Sequence, residues 1–187
     1  MILGEFIVYP RIKELIGGVV MKQIRTGRIL IIPCSISLAK SLVLYVDDLK
    51  MVSPVSIPDY FPSDRMKGML PLLIELLEAG YKADWWICFI IDLQHQQFIG
   101  ELEIEGDLLK EESLSFSLKF IDGQTEEEFA TEVMEGLLSY FQKLESIQLV
   151  RTEVVNDQTR YKNLLKRFGF EKEGVDGQYW LMRKYIR

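Results

Sequence analysis

The apolar positions of this chain change period several times, and each change marks an element. Arg28 to Ile32 is a run of branched residues that stops at Pro33, the signature of a short strand. Ser35 stands before a helical pattern that extends to Leu49, with the serine as its cap. A second helix opens at Pro62-Ser63-Asp64, carries Met66, Met69, Leu70, Leu73, Leu76 and Leu77 along one side, and closes at Gly80. Trp85 to Asp92 and Gln97 to Glu105 flank the polar turn Leu93 to Gln96, and Leu114 to Ile121 completes an antiparallel meander. Then the order changes. A helix runs from about Glu126 to Leu144, a strand from Ile147 to Val155, and a helix from about Thr159 to Phe168 that Gly169 ends. Strands near Phe170 and from Tyr179 to Tyr185 finish an α+β chain in which helices cross between strands.

No repeat, low-complexity tract or linker interrupts this succession, so residues 21–187 read as one domain and 1–20 as an N-terminal extension. The apolar opening is not of the targeting type: no basic residue precedes it, Glu5 interrupts it and Pro10 follows. Gly17-Gly18 requires two GG-initial codons shortly before Met21, a purine-rich arrangement that makes Met21 a second candidate start. With 187 residues, 48% hydrophobic and 27% charged, the chain has the balance of a globular protein with a full core. A net charge of -6 argues against a nucleic-acid partner, and no apolar run approaches the roughly 20 residues of a membrane helix. Two cysteines, Cys34 and Cys88, give no disulfide framework, which points to the cytoplasm.

Four strings, in order, carry a resemblance. Thr26-Gly27-Arg28-Ile29-Leu30-Ile31-Ile32-Pro33 resembles T-x-R-L-x-L-R-P, and Phe98-Ile99-Gly100 an aromatic-Ile-Gly strand start. Phe129-Ala130-Thr131-Glu132 resembles Y-A-T-E, and Leu165-Lys166-Arg167-Phe168-Gly169-Phe170 resembles L-x-K-x-G-F. All four belong to the GNAT superfamily of N-acetyltransferases, in its ribosomal-protein and small-amine branch. The resemblance implies a mixed central sheet flanked by helices, acetyl-CoA as cofactor, and a small amine or a protein N-terminus as acceptor, with a homodimer as one assembly. It also implies that the backbone from Leu118 to Phe120 holds the pantetheine arm.

The same resemblance places the donor's diphosphate at the start of the central helix, on a loop of the type R-G-x-G-x-A, where bare amides and the helix dipole favour an anion. Counting back from Ala130 puts Thr125 at the arginine and Glu126 and Glu128 at the glycines, with Glu127 between them. The cofactor contacts implied at this end are therefore Thr125, Glu126, Glu128, Phe129 and Ala130. Asn156 joins them if its N-x-x-S element, Asn156 and Thr159, carries a two-residue insertion; without one the element falls on Gln158 and Tyr161. Read on its own, Thr125 to Glu128 is a capping box, with threonine as cap and Glu128 reaching back. Residues 101–135 hold twelve acidic residues against Lys110 and Lys119, so this stretch carries -10 and the remainder +4. Such a field attracts amines and repels phosphates unless Arg160, Lys162, Lys166 and Arg167 offset it.

Amine acetylation needs a base for the ammonium proton and an acid for the thiolate. The family's E-I-G-Y falls on Ser115-Phe116-Ser117-Leu118, replacing the acid by Ser115, and its tyrosine before G-F falls on Leu165. Glu101, Glu103 and Glu105 alternate on one strand face and offer a base. The catalytic candidates are thus Glu103, Ser115 and Tyr161. His95, the only histidine, falls in a turn, and no metal set is present in the pattern. Three readings follow: an acetyl-CoA-dependent N-acetyltransferase, a GNAT-fold binding or regulatory module without transfer, and an acyltransferase whose donor carries fewer phosphates.

Overall fold

A computed structural model describes residues 23–80, 85–106 and 112–187; the extension 1–20 and the alternative start at Met21 lie outside the described residues. Two short strands, β1 (Ile24–Arg25) and β2 (Ile29–Pro33), lead into the helices α1 (Ile36–Leu44), α2 (Val46–Val52) and α3 (Asp64–Glu78). The meander is β3 (Trp85–Asp92), β4 (Gln97–Glu105) and β5 (Ser113–Phe120). Then come α4 (Gly123–Gln142), β6 (Leu149–Val155), α5 (Thr159–Arg167), β7 (Glu171–Asp176) and β8 (Tyr179–Tyr185).

Ser35 and Ser63 cap α1 and α3 as their sequence positions require, each accepting from the amide three residues on. The predicted helix from Ser35 to Leu49 divides in two. Tyr45 leaves helical geometry at φ -141° and ψ 40°, so α2 starts as a separate turn with Asp47 and Asp48 at its positive end. The central helix begins at Gly123, a turn earlier than the sequence suggests. Asp122 is its cap, not Thr125: the Asp122 carboxylate accepts the Thr125 amide at 2.7 Å. Thr125 therefore sits inside the first turn, and the capping box expected from Thr125 to Glu128 does not form.

The eight strands make one mixed sheet in the order β1-β2-β3-β4-β5-β6-β8-β7. All pairs are antiparallel except β5 with β6, which α4 crosses over to join in parallel. Along β4, β5 and β6 the residues alternate between two faces. Leu102, Ile104, Leu114, Phe116, Val150 and Val154 point toward α4 and α5, whose Val133, Met134, Leu137, Phe141 and Leu165 complete the larger core. On the opposite face α1 and α3 pack Ala39, Leu42, Met66, Leu70 and Leu73 against Ile87, Phe89 and Phe98, a smaller core over β3 and β4. Gly100 lets β4 and β5 approach, since a Cβ there would lie 2.5 Å from the Lys119 carbonyl oxygen.

Thr26, Arg28 and Glu132, drawn from two of the four strings, tie the first strands to α4. One Glu132 oxygen accepts the Thr26 hydroxyl at 2.5 Å and the Arg28 amide at 2.8 Å; the other accepts Arg28 Nε at 3.0 Å. Burial would raise the Glu132 pKa, but these donors outweigh it and hold the carboxyl below its ordinary range.

Candidate functional site

The parallel ladder between β5 and β6 is short. It pairs Ser113 with Leu149 and ends at Phe116 with Thr152, although β5 continues to Phe120 and β6 to Val155. The two strands therefore part over their C-terminal halves, while β5 stays paired with β4 as far as Phe120. The Ile121 amide donates to the Ile99 carbonyl at 3.0 Å, so alternation turns the backbone groups of Leu118 and Phe120 away from β4 and into the split. Their side chains pack against the larger core. This is the edge to which the resemblance assigns the pantetheine arm.

The split opens beneath two helix starts, because β5 leads directly into α4 and β6 into α5. At α4 the Asp122 carboxylate holds the amide and hydroxyl of Thr125 and the amide of Gln124, which keep its pKa low. Glu126 lies close enough to the Tyr161 phenol to disfavour its ionisation. Glu127 reaches across to α5 and binds Arg160 at 2.9 Å. Glu128 points elsewhere: it meets Arg28 at 3.1 Å, and Arg28 in turn lies 4.8 Å from the Phe129 ring. Phe129 and Ala130 are buried core residues. Of the five contacts expected around this loop, Thr125 and Glu126 lie in the first turn of α4, the Glu128 side chain turns to Arg28, and the Phe129 and Ala130 side chains are buried. Asn156 follows β6 directly; its carbonyl accepts from Lys162 at 2.6 Å.

Glu103 occupies the face opposite α4 and α5, directly across from Ser117, the first β5 residue beyond the end of the ladder with β6. Only 9% of it is exposed. Burial pushes its carboxyl pKa up, partly offset by Arg65 and Lys119 and reinforced by Glu105. Arg65, from the first turn of α3, donates to it at 2.7 Å. Glu101, paired across the strands with Lys119, is raised for the same reason. Tyr60 borders this group: burial first, then the charges of Asp122 and Glu101, raise its phenol pKa. Ser115 lies on the same open face, between Glu105 and Arg151.

Tyr161 lies on the other face. Its hydroxyl and the Thr152 hydroxyl are both buried without a hydrogen-bond partner of ordinary geometry. Burial raises the Tyr161 pKa strongly, the neighbouring Thr152 hydroxyl eases the shift, and Glu126 adds to it, so the phenol stays protonated. Thr152 is the last β6 residue paired with β5, which puts these hydroxyls at the closed end of the split. The candidate base and the candidate acid thus flank one opening from opposite sides of the sheet.

Sequence reasoning missed Asp122, Arg65, Tyr60 and Thr152. For Asp122 the signal was available, since an Asp-Gly pair directly after a strand suits a helix cap. The others depend on strand register and helix docking, which local pattern does not carry. His95 stands in the turn expected for it, its Nδ1 2.5 Å from the buried Asp92. Among the described residues no cluster of three His, Cys, Asp or Glu is placed to hold a metal, and no helix is long and apolar enough to cross a membrane.

No protein-family model matches the chain, and no curated protein matches it. Solved structures do. A putative ribosomal-protein-serine acetyltransferase from Vibrio cholerae superposes with a TM-score of 0.60 at 12% identity, over 88% of this chain and 97% of that one. The spermidine N-acetyltransferase of the same organism, in complex with CoA and spermine, gives 0.58 at 12% identity over 86% and 97%. The Campylobacter jejuni N-acetyltransferase PseH gives 0.55 at 12% identity over 84% and 97%. These superpositions cover most of both chains, and the chain has the GNAT N-acetyltransferase fold.

Proposed function

We propose that this protein transfers an acetyl group from a thioester to a primary amine in the cytoplasm. The observation that carries the reading is the position of Glu103: a buried carboxylate of raised pKa faces, across one strand, the point where β5 and β6 separate. The amide-bearing arm of the donor extends the sheet along Leu118 and Phe120, as an added strand would. A pantetheine thioester as donor is supported by one structural neighbour, which was solved with CoA and spermine.

The acceptor approaches from the open face, where Glu101, Glu103 and Asp122 favour an ammonium group. Glu103 takes one ammonium proton, directly or through water, and the amine nitrogen attacks the thioester carbonyl. The C–N bond forms, Glu103 releases its first proton to solvent and accepts the second from nitrogen, and the C–S bond breaks. Tyr161, held protonated by burial, donates a hydrogen bond to the departing sulfur and relays a proton to it as it takes one from solvent, so the thiol forms and the phenol is restored. Amide and thiol are the products. Ser115, beside Arg151, contributes to the acceptor face rather than to proton transfer.

A second reading is favoured by the Asp122 cap and the Glu127–Arg160 bridge, which occupy the ground where a nucleotide donor would place its phosphates: a module that binds without transfer. The experiment that separates the two follows acetyl gain on spermidine and on a short peptide by mass spectrometry, with wild type and Glu103→Gln. Transfer by the wild type, reduced about 10²- to 10⁴-fold in the variant while donor affinity is kept, is the expected result. Transfer that is equal in both would remove Glu103 from the mechanism, and no transfer to any amine would favour the second reading.

A further inference from the structure

We infer that the donor is a pantetheine-type thioester without a diphosphate at the open end of the split, an inference that rests on the acyl-transfer reading above. The split itself is suited to an uncharged, amide-bearing arm, because Leu118 and Phe120 present backbone donors and acceptors along it. Its entrance has the opposite character. The amides at the start of α4, the natural place for an anion, are already bound by the Asp122 carboxylate. Glu126 and Glu127 follow within the first turn, and Glu127 reaches to α5.

Neighbouring cations do not reverse this balance. Arg160 is engaged by Glu127. Lys162 donates to the Asn156 carbonyl at 2.6 Å and lies 4.4 Å from the centre of the Trp180 ring, and Lys166 and Lys172 crowd the same ring at 5.5 and 4.0 Å. Trp180 pairs with Val154 of β6 on the strand beyond, so this basic group is drawn toward β8, away from β5. A diphosphate at the entrance would meet three carboxylates with one of them neutralised. The field there favours a donor that ends in a hydroxyl, or whose phosphate lies beyond reach of α4.

The test compares S-acetylpantetheine with acetyl-CoA by isothermal titration, at low and at physiological salt. The expected result is a Kd about tenfold lower for S-acetylpantetheine near 0.01 M salt, with the gap closing near 0.15 M as repulsion is screened. Asp122→Asn keeps a capping side chain and removes one charge, so it should narrow the low-salt gap without unfolding α4. Tighter binding of acetyl-CoA, weakening as salt rises, would overturn the inference and leave the acyl-transfer reading intact. If neither thioester binds, the inference and that reading both fail.

Discussion

Glu103 begins as one of three alternating glutamates on β4, and its surroundings set it apart. Arg65 reaches it at 2.7 Å and lowers its pKa, while burial raises it by more. Removing the arginine should therefore push the carboxyl higher still. In Arg65→Met the acid limb of the kcat/KM profile is expected to move to higher pH, and an unmoved limb would mean that another group titrates. Glu132 behaves in the opposite sense. Its pKa is held below the ordinary 4.5 by Thr26 and Arg28 despite its burial, so its contribution is present above that value and lost as pH falls through the lowered one. Glu132→Gln should cost about 2 kcal/mol in urea unfolding at neutral pH, and the difference from wild type should shrink below pH 4.5. Alternation alone made Glu103 legible in the sequence. Its partners Arg65 and Ser117 were not, because nothing local says which helix docks on β4 or in which register β5 pairs.

Among the elements, α4 offers the clearest contrast between what pattern shows and what folding selects. Both Asp122 and Thr125 are capping types, and the apolar stripe begins only at Phe129, so the stripe alone does not decide between them. The fold selects Asp122, because β5 ends at Phe120 and the chain must turn at once. Asp122→Ala is expected to cost about 0.5–2 kcal/mol in urea unfolding, and Thr125→Ala distinctly less; equal losses would restore the capping box. Sheet packing gives a second ranking. A Cβ at Gly100 meets the Lys119 carbonyl oxygen at 2.5 Å, whereas one at Gly136 meets a side-chain methyl of Thr26 at 2.8 Å. Gly100→Ala should be the more damaging change, since backbone yields less readily than a threonine. The strands Trp85–Asp92, Gln97–Glu105 and Tyr179–Tyr185 were legible to the residue, because a turn adjoins at least one end of each. The break at Tyr45 was not, since no glycine or proline marks it.

For the whole molecule the decisive feature is topological. A helix crossover places β6 parallel to β5, the pair holds for four residues, and the strands then separate beneath two helix starts. Composition announced the acidic stretch from residue 101 to 135, and the fold gathers part of it on one side of the opening as Glu101, Glu103 and Asp122. Neither the parallel pairing nor its early end is written in any local pattern, which is why the arm-binding edge was reached through resemblance and the acidic entrance through spacing. In the proposed reading, an amine-acceptor face and an arm-binding split lie on either side of one strand. The most direct measurement is the mass of a primary amine, spermidine or a peptide N-terminus, after incubation with the protein and a pantetheine thioester. The account predicts the gain of one acetyl group with wild type and its near-loss with Glu103→Gln. An amine that leaves unmodified from the wild-type reaction, with every thioester tried, would contradict it.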